Sequence, residues 1–241
     1  MLQLKMMHPT AGGLATARNL VLGAIALASV GTYAAGAFLD LGILKFFVKP
    51  VPVVCLALWV FGTDGLDRYA KTIGVGLLFG ALGDILLEAP DRTFLPGLIA
   101  FLLGHLVYIG AFLLRSQQFN LIRALPVYAF GSAILMPLLR SQLIQERGLE
   151  IPVIIYMIVI CAMVWRAWTV DTGSDQRSIA THLALAGALL FLISDSILAV
   201  RLFLFDLPFA RFIIMATYWL GQFGIAASAI RYSRPPNTRT T

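Results

Sequence analysis

Residues 71–88 read KTIGVGLLFGALGDILLE, an apolar run of membrane-crossing length with Asp84 set inside it. An α-helix rising 1.5 Å per residue needs about 20 residues to cross a hydrocarbon core of ~30 Å. A carboxylate at that depth costs at least ~2.5 kcal/mol on insertion scales, so such residues are rare and line sites or polar pathways. Residues 183–195, LALAGALLFLISD, repeat the arrangement with Asp195. Two carboxylates in like settings point to a reaction centre within the membrane.

Outward from these two runs, the whole chain has the same character. Of its 241 residues, 59% are hydrophobic and only 12% are charged, and the mean hydropathy is +0.87. A soluble domain carries roughly twice that charged fraction. Eight apolar segments can be marked, at about 20–39, 46–63, 71–88, 94–114, 121–139, 151–170, 181–204 and 209–230. Turn chemistry separates them, as at Gly62-Thr63-Asp64-Gly65, Ala89-Pro90-Asp91-Arg92 and Asp171-Thr172-Gly173-Ser174-Asp175. The fold class expected is an all-α membrane protein, a bundle of about eight transmembrane helices. Residues 1–19 form a leader, 20–230 a single polytopic domain, and 231–241 a polar tail.

A weak internal echo runs through the bundle. FGALGDILL (79–87) and FLISDSILA (191–199) each precede a turn and a segment with further polar residues. Four segments separate the copies, which fits a 4+4 parallel duplication.

The formal charge of +6 comes from basic residues scattered singly at segment ends. No basic block with interleaved aromatics is present, which argues against a nucleic-acid partner. With eight spans the two termini share a face. Lys45, Lys49, Arg92, Arg140, Arg147, Arg201 and Arg211 fall on the opposite face, and the other eleven of the 18 Lys and Arg fall on the termini's side. That balance favours both termini in the cytoplasm, and the location expected is a bacterial inner (plasma) membrane. Cys55 and Cys161 lie in apolar segments and read as packing residues.

In this topology Asp84, Asp195 and Lys49 occupy one half of the bilayer. His105 and Tyr108 share a face of their segment at i, i+3, and Tyr218 and Gln222 share one at i, i+4. Arg201 follows Asp195 by six residues and is either a segment-end anchor or its ion-pair partner. Polar groups from five segments can thus converge on one cavity. The candidate catalytic residues are Asp84, Asp195 and His105, with Lys49, Tyr108, Arg201, Tyr218 and Gln222 on the substrate-binding side. A His105–Asp84–Asp195 metal site has too few good ligands to be preferred. His8 and His182 lie elsewhere, no cysteine pair has ligand spacing, and no metal or cofactor is expected. A G-x-S-x-G elbow and a glycine-rich phosphate loop are both absent.

These residues, in this order, resemble the YhhN-like family of integral membrane proteins. The likeness is carried by Lys49-Pro50, by Gly83-Asp84, and by FLLGHLVY from Phe101 to Tyr108. It continues in GALLFLISD from Gly187 to Asp195, then Arg201, Phe203, Tyr218 and Gln222. It spans nearly the whole chain. Characterised members are lysoplasmalogenases, which hydrolyse the vinyl ether bond of lysoplasmalogens to a fatty aldehyde and a glycerophospho-alcohol. The resemblance implies that activity here, on a membrane lysophospholipid. Vinyl ether hydrolysis needs an acid and a base in one cavity, and two carboxylates can divide those roles when their surroundings differ. On this reading His105 and Tyr108 orient the water or steady developing charge, and Lys49 meets the lipid phosphate. The residues alone leave proton-coupled transport and non-catalytic lipid binding open as well.

Overall fold

The structure, a computed structural model, describes residues 11–89, 94–170 and 175–233. Residues 1–10 of the expected leader, with His8, lie outside the described residues. So do 234–241 of the tail and the turn residues 90–93 and 171–174.

In lipid no water is available to backbone N–H and C=O groups, so a spanning segment must satisfy them internally as helix. The chain follows that requirement with ten helices among the described residues, and no strand. They are α1 (Ala11–Phe38), α2 (Gly42–Val48), α3 (Val51–Phe61), α4 (Arg68–Glu88) and α5 (Phe94–Leu113). Then come α6 (Leu121–Leu139), α7 (Gln142–Glu146), α8 (Glu150–Trp168), α9 (Asp175–Phe203) and α10 (Ala210–Ser233). Eight spans are long and apolar enough to cross a membrane, with α2 and α3 together making the second, Gly42–Phe61. Pro50 has no N–H to continue the ladder, so that span is interrupted at Lys49-Pro50. α1 begins at Ala11, inside the stretch expected as leader, and α10 runs to Ser233.

Five helices form a ring in which each touches the next: α4 with α5, α5 with α8, α8 with α9, α9 with α10, and α10 back to α4. α3 packs behind α4 and α10, α1 behind α3, and α6 behind α8. The span of α10 is 67% buried and that of α1 only 11%, which separates the inner ring from the lipid-facing periphery.

The two segment pairs compared in the sequence echo are the tightest hairpins, α9–α10 and α4–α5. Glycine sets the α9–α10 approach. A Cβ on Gly187 would stand 2.6 Å from the Gly221 carbonyl oxygen and 2.8 Å from Ile225 N. One on Gly224 would stand 2.9 Å from the Leu183 oxygen. Small residues of this kind let membrane helices close on dispersion contacts where no hydrophobic force drives them together.

At the termini's face the bundle is tied by charge. Asp67 caps α4, accepting from Ala70 N at 2.9 Å, and pairs with Arg115 at the end of α5. The Arg115 guanidinium lies over the rings of Tyr69, at 4.7 Å, and Tyr232, at 3.9 Å. Tyr69 and Ser228 share a hydroxyl–hydroxyl bond of 2.8 Å. Arg166 reaches back from α8 to the carbonyls of Ser116 and Gln118. The main cavity lies in the other half.

Candidate active site

The half of the ring away from the termini encloses a cavity of about 1000 Å³. Asp84 and Asp195 both line it, the first from α4 and the second from α9. Tyr218 and Ser194 share the inner wall; Lys49, Glu88, Arg147, Arg201 and Arg211 stand around the cavity with an apolar lining that includes Leu87, Phe101 and Leu198. A second, narrower cleft adjoins it between α5, α8 and α9, lined by Leu98, Val153, Met157, Ile160 and Leu192. Asp195, Phe101 and Leu198 border both spaces. A carboxyl group therefore sits where the larger cavity, with its charged rim, meets an apolar slot.

Each aspartate is held by a tyrosine from another helix. Tyr218 on α10 donates to Asp84 Oδ2 at 2.8 Å. Tyr156 on α8 donates to Asp195 Oδ2. Each tyrosine is in turn met by a side-chain nitrogen. Gln222 Nε2 lies 3.4 Å from the Tyr218 hydroxyl, and its Oε1 accepts from Tyr108 at 2.7 Å. His105 Nε2 lies 2.9 Å from the Tyr156 hydroxyl and 3.7 Å from Asp195 Oδ2. On both carboxylates Oδ1 has no hydrogen-bond partner among the described residues. The five ring helices thus supply two arms, Asp84–Tyr218–Gln222–Tyr108 and Asp195–Tyr156–His105.

The structure brings Asp84, Asp195, Lys49, Arg201 and Tyr218 to one cavity wall. His105, Tyr108 and Gln222 stand behind that wall, almost wholly buried. His105 and Tyr108 share a helix face but part company across it, His105 toward Tyr156 on α8 and Tyr108 toward Gln222 on α10. Lys49 Nζ is tied to Glu88 Oε2 at 3.2 Å. Arg201 pairs with the exposed Asp206, Nε to Oδ1 3.5 Å, rather than with Asp195. The break at Lys49-Pro50 faces Lys49 inward toward α4, where Glu88 waits at the last turn.

Three residues of the site were not legible beforehand. Tyr156 stands in EIPVIIYMIVICAMVW with no polar neighbour at helical spacing to mark it. Arg147 and Arg211 look like ordinary segment-end anchors. Only the topology, which puts both on the same face as Lys49, could have drawn them in. Among the described residues no group of three or more His, Cys, Asp or Glu side chains could hold a metal ion.

A ring of membrane helices around paired, tyrosine-held carboxylates defines a membrane protein with a cavity in one half of its bundle. The chain belongs to the YhhN family, whose match covers residues 44–229. It is 36% identical over 190 residues to the human protein named lysoplasmalogenase TMEM86B, covering 78% of this chain and 76% of that one. To human lysoplasmalogenase TMEM86A it is 34% identical over 201 residues, covering 78% and 79%. A Mycobacterium bovis protein named lysoplasmalogenase is 34% identical over 168 residues, covering 65% of this chain and 64% of the other. No solved structure matches the chain.

Proposed function

We propose that this protein is an intramembrane ether hydrolase that cleaves the vinyl ether bond of a lysoplasmalogen-type lysophospholipid. The observation that carries the reading is the pair Asp84 and Asp195 on the wall of one cavity. The names of the relatives give the substrate class.

The chemistry balances without a cofactor. A carboxylic acid delivers a proton to the β-carbon of the vinyl ether, leaving an oxocarbenium ion. Water, deprotonated by the second carboxylate, adds to the α-carbon. The resulting hemiacetal collapses: the carboxylate that gave the first proton takes the hydroxyl proton, the other carboxyl gives its proton to the glycerol oxygen, and the C–O bond to glycerol breaks. The products are a fatty aldehyde and a glycerophospho-alcohol. Asp84 and Asp195 supply acid and base, each through the Oδ1 that its tyrosine leaves unengaged. A fixed carboxylate also stabilises the cationic intermediate in a site sheltered from bulk water.

Arg147, Arg201 and Arg211 line the same cavity and suit the lipid phosphate. Lys49 is paired with the largely buried Glu88, whereas Arg201 and Arg211 pair with the exposed Asp206 and Asp40, which a phosphate can displace more readily. The apolar cleft beside Asp195 accommodates the start of the alkenyl chain. The ion pair and stacked rings around Arg115 tie the helix ends at the termini's face, which supports turnover over passage through the bundle. We place the protein in a plasma membrane with cytoplasmic termini, on the eleven-to-seven balance of basic residues.

The test is aldehyde release from a vinyl-ether lysophospholipid by the purified protein in detergent, with Asp84→Asn and Asp195→Asn alongside. Each variant should fold and lose roughly 10²–10⁴-fold in turnover, the usual contribution of a positioned acid or base. Near-normal turnover in both variants would remove the aspartates from the mechanism.

A further inference from the structure

The two arms are built alike, and the likeness assigns a role to residues that do not touch the cavity chamber. In each, a tyrosine donates to Oδ2 of the aspartate, and a side-chain nitrogen meets the tyrosine oxygen from behind. A tyrosine hydroxyl has one proton to give. Since Tyr156 gives its proton to Asp195, it accepts from His105, which fixes Nε2 as the protonated ring nitrogen. The other nitrogen, Nδ1, is buried and has no hydrogen-bond partner among the described residues. The ring is wedged against Phe191, centroids 4.7 Å apart and nearly perpendicular, and against Tyr156 at 5.3 Å. Among the described residues no side chain meets Nδ1 to carry a proton onward. His105 is therefore placed as a donor of fixed direction and not as a conduit.

We propose that Tyr156 and His105 are positioning residues for Asp195: His105 orients the Tyr156 hydroxyl, and Tyr156 pins Oδ2, so that Oδ1 is presented to the vinyl ether. Gln222 does the same for Tyr218 and Asp84 in the opposite arm. This rests on the hydrolase reading for the reacting group, while the hydrogen-bond relay itself is independent of substrate. The equivalence of the arms makes a specific forecast. Glutamine at 105 can still present an Nε2–H to the tyrosine, as Gln222 does, whereas leucine cannot.

The experiment compares Tyr156→Phe, His105→Gln and His105→Leu with the unchanged protein, each purified whole in detergent and checked for its elution volume. Two quantities are read: kcat and KM for a vinyl-ether lysophospholipid, and the infrared carboxyl and carboxylate bands of Asp195, assigned by their loss in Asp195→Asn. Tyr156→Phe and His105→Leu should lower kcat on the order of ten- to hundredfold, the worth of one hydrogen bond to a charged group, with KM little changed. His105→Gln should recover most of that loss. The Asp195 bands should move in Tyr156→Phe and His105→Leu and return toward their original position in His105→Gln. Unmoved bands and unchanged kcat in Tyr156→Phe would overturn the proposal, as would His105→Gln behaving like His105→Leu. If the unchanged protein releases no aldehyde, the hydrolase reading fails, and the bands alone decide the relay. If Tyr156→Phe does not fold, the two His105 variants decide it.

Discussion

Replacing Gly187 by alanine tests the packing and the site together. An added Cβ would meet the Gly221 carbonyl oxygen at 2.6 Å, Ile225 N at 2.8 Å and Ile225 Cγ1 at 3.0 Å. Two of these are backbone atoms of α10, which cannot turn aside as a side chain can. Restoring an ordinary contact of 3.4 Å means parting α9 and α10 by about 0.8 Å. Overpacking of this kind costs roughly 1–3 kcal/mol. The movement reaches the reacting groups, because Tyr218 lies one turn from Gly221 on α10. α10 lies between α9 and α4, so a shift of this size disturbs the 2.8 Å bond from Tyr218 to Asp84, whose geometry holds only within a few tenths of an ångström. Gly187→Ala should therefore lower the unfolding temperature in detergent and also lower kcat per folded molecule on the order of tenfold or more. Gly31→Ala is the control. Gly31 lies on α1 with nothing within 4 Å of a new Cβ, and alanine there is neutral or stabilising by up to about 1 kcal/mol. Both properties unchanged in Gly187→Ala would mean that α9 and α10 do not meet at these glycines.

Further outcomes are expected at two groups of arginines. Arg115→Ala loses the Asp67 pair and both aromatic faces at the termini's end, and should cost about 1–3 kcal/mol in thermal unfolding with KM unaffected. Arg115→Lys should recover only part of this, since an ammonium lacks the flat guanidinium face. Arg147→Ala, Arg201→Ala and Arg211→Ala should each raise KM for the lysophospholipid roughly two- to tenfold with little change in kcat. Added salt should raise the KM of the unchanged protein in the same direction. A fall in kcat at constant KM would instead tie the arginines to the chemical step.

The spans were readable because lipid imposes a simple rule: a chain without water must close its own hydrogen bonds over about 20 residues. Asp84 and Asp195 were readable for a related reason, since each is an expensive exception within an apolar run. What could not be read was direction around a helix axis at finer grain than a shared face. His105 and Tyr108 are three residues apart, yet one serves Asp195's arm and the other Asp84's. Tyr156 escaped notice because a tyrosine in a membrane helix is as much at home in packing as in hydrogen bonding. Lys49 and Arg201 were found, but their partners, Glu88 and Asp206, lie across a helix gap and a loop that sequence spacing does not resolve. The glycines at 187, 221 and 224 were visible as letters in Leu- and Ala-rich runs. Their facing one another depended on how α9 and α10 meet.

The cavity draws its lining from the half of the bundle away from the termini. A lysolipid in the leaflet on that side can slide its chain toward Asp195 without leaving the membrane plane. One in the other leaflet must first carry a charged headgroup through the hydrocarbon, a far slower passage than lateral diffusion. On the hydrolysis proposed above, the protein clears one leaflet, and its two products part there. The headgroup fragment, charged and water-soluble, is released on a single side, whereas the uncharged aldehyde stays in the bilayer and is free to reach both.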